Sequence, residues 1–89
     1  MGTVIRGRVL GPDGSAMPGA RVYFKSGPGV HADIAGLTSE AGEFALYAPS
    51  PGTYVIESAA DGFSPAATQV ETADDDEMAI DVQLEAPLG

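Results

Sequence analysis

Eighty-nine residues with a formal net charge of −9 are enough for one folded core and too few for two. With no cysteine, the chain has neither a disulfide framework nor a thiolate metal site, and its redox compartment stays open. The four basic side chains, Arg6, Arg8, Arg21 and Lys25, all precede residue 26, and so acidic a chain does not bind nucleic acid or an anionic membrane by bulk attraction.

Twelve glycines and seven prolines fall between apolar runs and not in a low-complexity tract, which is the pattern of a many-turned β protein. No run approaches the roughly 18 apolar residues of a membrane helix, so no membrane insertion is expected. No charged segment followed by an apolar one opens the chain. A native start at Met1 therefore implies the cytoplasm, and excision from a larger protein implies an extracellular or cell-envelope setting.

The first alternating run, Thr3 to Leu10, places Thr3, Ile5, Gly7 and Val9 on one face and Val4, Arg6, Arg8 and Leu10 on the other. Gly11-Pro12-Asp13-Gly14 is a turn in which proline presets φ and glycine accepts positive φ, and Met17-Pro18-Gly19 punctuates again. A second strand runs from Ala20 to about Lys25, with Ala20, Val22 and Phe24 inward and Arg21, Tyr23 and Lys25 outward. Residues 26–36 carry no period and read as a loop, ending in a short strand around Ile34 to Thr38.

From Ser39 to Phe63 the pattern is clearest. Two strands, Glu43 to Tyr47 and Thr53 to Ala60, are separated by Pro49-Ser50-Pro51-Gly52 and closed by Asp61-Gly62. Phe44, Leu46, Tyr54 and Ile56 point inward, and Glu43, Ala45, Tyr47, Val55 and Glu57 point outward. Ala67 to Glu71 forms a weaker strand with Val70 inward. The run Ala73-Asp74-Asp75-Asp76-Glu77 cannot bury its charges and is expected to form an exposed loop. The last strand, Met78 to Glu85, sets Met78, Ile80, Val82 and Leu84 against Ala79, Asp81, Gln83 and Glu85. Short strands about ten residues apart, without a helical stretch, predict an all-β sandwich.

The succession Ile5-x-Gly7-x-Val9, Asp13-Gly14, Pro18-Gly19-Ala20-x-Val22, Thr38 through Gly42-x-Phe44-x-Leu46, Pro51-Gly52-Thr53-Tyr54 and Asp61-Gly62-Phe63 resembles the carboxypeptidase regulatory-like domain. That family is related to the transthyretin-like and collagen-adhesin B-type modules. The resemblance spans about Thr3 to Glu85, and the whole chain, 1–89, is read as one such domain. It implies a prealbumin-like Greek-key sandwich of seven strands, an accessory unit attached to enzymes, receptors or surface proteins, and no activity of its own. Gly42, Phe44, Gly52, Tyr54 and Gly62 are then structural, with glycines at turns and the Tyr54 ring in the core, its hydroxyl free to tie a neighbouring loop.

Sharper functions are weighed against that reading. Relatives that hydrolyse hydroxyisourate carry a histidine and arginine constellation and a Tyr-Arg-Gly-Ser terminus, whereas this chain has one histidine, His31, and ends Ala-Pro-Leu-Gly. Serine nucleophiles would have His31 as their only imidazole, so no catalytic residues are assigned. The lysine-to-asparagine staple of adhesin relatives finds no asparagine here; Lys25 is on the second strand, and Glu57 is expected to face water.

Asp74, Asp75, Asp76 and Glu77 are candidate calcium ligands, but consecutive carboxylates on one loop rarely surround the ion, and a solvated loop is the plainer reading. His31 with Asp33 offers too few ligands for zinc. Outward Tyr23 and Tyr47 are candidate carbohydrate contacts, in a chain without tryptophan to build a flat platform. The favoured reading is a non-catalytic structural or protein-interaction module without a cofactor, meeting a protein partner or a neighbouring domain. Arg6 and Arg8 are expected to face Asp81 and Glu85 across the first and last strands.

Overall fold

The computed structural model describes residues 2–28, 36–73 and 77–86, and among these seven strands form. They are β1 (Thr3–Leu10), β2 (Arg21–Ser26), β3 (Gly36–Leu37), β4 (Glu43–Ala48), β5 (Gly52–Ala59), β6 (Ala66–Thr72) and β7 (Glu77–Gln83). Side chains of a strand alternate between faces, so a run of apolar residues two apart buries itself and leaves the residues between them wet. In β1, Thr3, Ile5 and Val9 are buried while Arg6 and Arg8 are exposed. In β5, Tyr54, Ile56 and Ser58 are buried.

The strands divide into a three-stranded sheet, ordered β4-β1-β7, and a four-stranded sheet, ordered β3-β2-β5-β6. The chain passes between the sheets four times, at β1–β2, β3–β4, β4–β5 and β6–β7, giving the expected Greek-key sandwich. Within the first sheet β1 pairs antiparallel with β4, Ile5 opposite Leu46, and parallel with β7, Ile5 opposite Met78. Leu84, just past β7, extends the parallel pairing by donating its N–H to the Leu10 carbonyl at 2.7 Å.

The core lies between the sheets. Ile5, Val9, Val22, Phe24, Phe44, Tyr54, Ile56, Val70, Val82 and Leu84 are buried in it, joined by Ala20 and Ala48. Leu46, Met78 and Ile80, expected fully inside, are only partly buried. They belong to β4 and β7, the two edges of the smaller sheet, where no further strand among the described residues covers their flanks. At the centre, the rings of Phe24 and Tyr54 pack 5.0 Å apart at 44°, a tilted contact in the favourable range for aromatic pairs.

The turn before β4 shows how tightly β4 is joined to β1. Gly42 has φ +75, and a Cβ there would lie 2.8 Å from the Val9 carbonyl oxygen. Its own carbonyl accepts the Val9 N–H at 2.8 Å, so this residue must be both left-handed and bare. On the other sheet, the buried Thr38 hydroxyl accepts the Ala20 N–H at 2.9 Å and donates to the Met17 carbonyl. It thereby pins the β1–β2 connection to the end of β3.

Candidate functional site

With Ile5 and Val9 turned inward, the strand period brings Arg6 and Arg8 to the outer face of the three-stranded sheet. The register sets Arg8 between Glu43 of β4 and Asp81 of β7, and Arg6 between Ala45 and Ala79. A shallow trough of about 310 Å³ lies across the sheet at Gly7, lined by Arg6, Arg8, Glu43, Ala79 and Asp81 together with Gly7, Phe44 and Ile80. Two guanidinium and two carboxylate groups therefore meet on the outer face of this sheet.

The charge pairs differ in one respect from the sequence expectation. Arg8 meets Asp81 at 3.9 Å, but Arg6 pairs with Glu77 at 3.1 Å, and Glu85 takes neither arginine. The parallel register is the cause. Glu77 lies opposite Val4, one step diagonal from Arg6 on the same face, whereas Glu85 lies beyond β7, where it bridges to Ser64. Arg21 and Asp61 at 3.7 Å and Lys25 and Glu57 at 3.7 Å complete the set, so each of the four cations has an acidic partner within the fold.

Tyr47 stands on the outward face of β4, an edge strand, and is 61% exposed. Its ring lies over Gly2, where a Cβ would come within 2.2 Å of ring atoms. Bare backbone at residue 2 therefore seats one side of the ring. Tyr23 is on the opposite side of the molecule, on the outer face of the four-stranded sheet, directly across from Glu57. The two tyrosines face away from each other and do not form a shared platform.

Glu57 departs from the expectation that it faces water. It does point outward, but its side chain keeps only 21% of its exposure. Tyr23 and Lys25 of the neighbouring strand fold over it, and the Tyr23 hydroxyl donates a hydrogen bond to its carboxylate. That bond raises the Tyr23 pKa above its usual 10.0, because ionisation would set a phenolate against a carboxylate. The opposite shift occurs at Asp13, whose pKa is lowered by the Ser15 N–H, a donor 3.0 Å from its Oδ1.

Tyr54 organises the pole where β1 enters. Its hydroxyl accepts the Ser50 N–H at 3.1 Å and lies within hydrogen-bonding reach of the carbonyls of Ser50, at 2.5 Å, and Pro28, at 3.1 Å. One phenolic proton serves both carbonyls. The Thr72 hydroxyl accepts the Gly52 N–H at 3.2 Å. Gly52 itself opens β5, and a Cβ there would meet the Pro28 ring at 2.7 Å. Phe44 packs into the core, and Gly62 occupies the β5–β6 turn with φ 86.

Asp74, Asp75 and Asp76, like His31 and Asp33, lie outside the described residues, and Glu77 is the member of the acidic run that is described. Among the described residues no cluster of three or more metal-ligating side chains occurs. Sequence reasoning did not single out the polar groups that turned out to be buried, Thr38, Thr72 and Ser58. Thr72 and Ser58 lie on the inward period of their strands, which was the available signal. Thr38 stands at the end of a strand too short to show a period. The trough is a product of strand register, which residue spacing alone does not set.

Comparison with known structures supports the architecture. The chain is similar to catechol 1,2-dioxygenase from Acinetobacter sp. ADP1, at 15% identity and a TM-score of 0.74 over 98% of this chain and 53% of that one. It is also similar to BcpA, the major pilin subunit of Bacillus cereus, at 13% identity and a TM-score of 0.75 over 98% of this chain and 31% of the pilin. The Bacillus anthracis TIE protein gives 16% identity and a TM-score of 0.72 over 93% of this chain and 16% of that one. The chain thus spans about half the length of the dioxygenase and less of the other two. At these identities the likeness is one of fold.

No curated protein sequence matches the chain. The profile of the carboxypeptidase regulatory-like domain matches residues 4–85, almost the whole length. The motif succession, the two-sheet topology and this match agree: the chain belongs to the carboxypeptidase regulatory-like domain family.

Proposed function

We propose that the chain is a non-catalytic accessory module that presents a rigid surface to a protein partner or a neighbouring domain. The observation that carries this is the parallel pairing of β1 with β7. The first strand enters beside Ala48 and Ala73, and the last leaves beside Leu10 and Ser64, so the two connections emerge at opposite poles. Eight residues of strand separate them by about 25 Å. A unit crossed from pole to pole fits a position in series between other domains, with its sides free for contact. The open β4 edge and exposed Tyr47 supply such a side.

Charge narrows the partner. With every cation already paired, the remaining acids leave a negative exterior, so a partner carrying a basic surface is favoured and its binding weakens with salt. The test is size-exclusion chromatography with light scattering on the pure chain, then capture from its own source over a salt series, with Tyr47→Ala in parallel. Reproducible retention of one protein, released by salt and reduced by the substitution, supports the proposal. A folded chain that retains nothing at low salt contradicts an adaptor role and leaves the in-series role alone.

A further inference from the structure

Two Asp-Gly steps occur in the chain, Asp13-Gly14 and Asp61-Gly62. This dipeptide can rearrange without a catalyst. The glycine amide nitrogen attacks the aspartate side-chain carboxyl carbon, one water leaves, and a five-membered succinimide forms. Water then re-enters at either carbonyl, restoring aspartate or giving isoaspartate, in which the backbone runs through the former side chain. The reaction needs a free amide nitrogen, a mobile carboxyl group and room for the ring to close, and the fold distributes these requirements unequally between the two steps.

At Asp13 two of these requirements, the free amide and the mobile carboxyl group, are blocked. The carboxylate is held by the Ser15 N–H at 3.0 Å, and the Gly14 N–H is committed to the Gly11 carbonyl at 2.9 Å. At Asp61 nothing comparable is present. Its side chain is 99% exposed, and among the described residues its one ion pair is with Arg21, at 3.7 Å. Among the described residues the Gly62 N–H has no acceptor; the turn is closed by the next amide, Phe63 N–H to the Ala60 carbonyl at 3.1 Å. A Cβ would meet nothing within 4 Å at Gly62 or at Gly14, so there is space for the ring at both steps and the difference lies in the amide and the carboxyl group.

We infer that Asp61-Gly62 is a site of spontaneous isoaspartate formation, and that the turn at Asp13-Gly14 protects its own aspartate. Conversion at Asp61 lengthens the backbone between β5 and β6, breaks the Ala60–Phe63 bond and removes the partner of Arg21. Its effects fall beside the Ser64–Glu85 bridge, at the pole where the chain leaves β7. The altered turn exposes an α-carboxylate, the group that isoaspartyl carboxyl methyltransferases accept.

The experiment ages the folded chain at neutral pH and locates isoaspartate by peptide mapping, with methyl transfer from labelled S-adenosylmethionine by an isoaspartyl methyltransferase as a second readout. Conversion at Asp61 several-fold faster than at Asp13, with the two rates converging in urea, supports the inference. Asp61→Glu, which disfavours the five-membered ring, keeps the fold and drops methyl acceptance towards background. Equal or faster conversion at Asp13 in the folded chain, or methyl acceptance that survives Asp61→Glu, overturns it.

Discussion

The hydroxyl of Tyr54 reaches back four residues to both the N–H and the carbonyl of Ser50. A core ring thereby fixes the shape of the Pro49–Pro51 turn from inside. The device resembles the tyrosine corner of other β-sandwiches, in which a buried tyrosine ties its hydroxyl to upstream backbone. Here it also draws in Pro28, so the connections after β2 and β4 share one anchor.

Tyr54→Phe keeps the ring and its contact with Phe24 but leaves these backbone groups to water. The expected loss is about 1–2 kcal/mol. The urea midpoint should fall with the slope of the transition unchanged, and the Ser50 amide should exchange faster.

Gly42 and Gly14 separate backbone strain from crowding. Both have positive φ, but a Cβ at Gly42 would collide with the Val9 carbonyl, whereas one at Gly14 meets nothing within 4 Å. Gly14→Ala should cost about 1 kcal/mol, the left-handed penalty alone, and Gly42→Ala about 2–3 kcal/mol. Equal losses would show that contact with β1 contributes nothing.

Much of this could be read from residues alone, and the reason is period. In Ile5, Val9, Val22, Phe24, Tyr54, Ile56, Val82 and Leu84, spacing by two decides which face is buried, and these residues occupy the core. Period does not decide the offset between strands. Arg6 was therefore expected opposite the acids at 81 or 85 and instead lies diagonal to Glu77. Nor does it show what covers an outward side chain, as with Glu57 under Tyr23 and Lys25, or which inward polar groups find partners, as with Thr38.

Among the described residues Ser58 is an inward polar group of the last kind without a partner. Its side chain is fully buried on β5, and its hydroxyl makes no hydrogen bond to any of them. Folding strips water from the group and returns nothing, so Ser58→Ala should raise stability by about 0.5–1 kcal/mol. Chemical denaturation of the two proteins measures this directly.

Tyr23 supplies a pH dependence. Its folded pKa is raised above 10.0 by the bond to Glu57. Its stabilising contribution is therefore complete below the unfolded value and is lost as pH climbs through the folded one. Ultraviolet titration should show a late tyrosinate component that Tyr23→Phe removes, with stability above pH ~10 less steeply pH-dependent in the variant.

The central claim is that the module works by surface contact. The most direct measurement places a photoreactive benzophenone side chain at position 47, on the open β4 edge, and separately at position 23, on the opposite face. Illumination in extract from the natural source, followed by mass spectrometry of adducts, should yield one reproducible protein partner from position 47 and much less from position 23. Adducts absent from position 47, or equal and unspecific at both, would contradict the account.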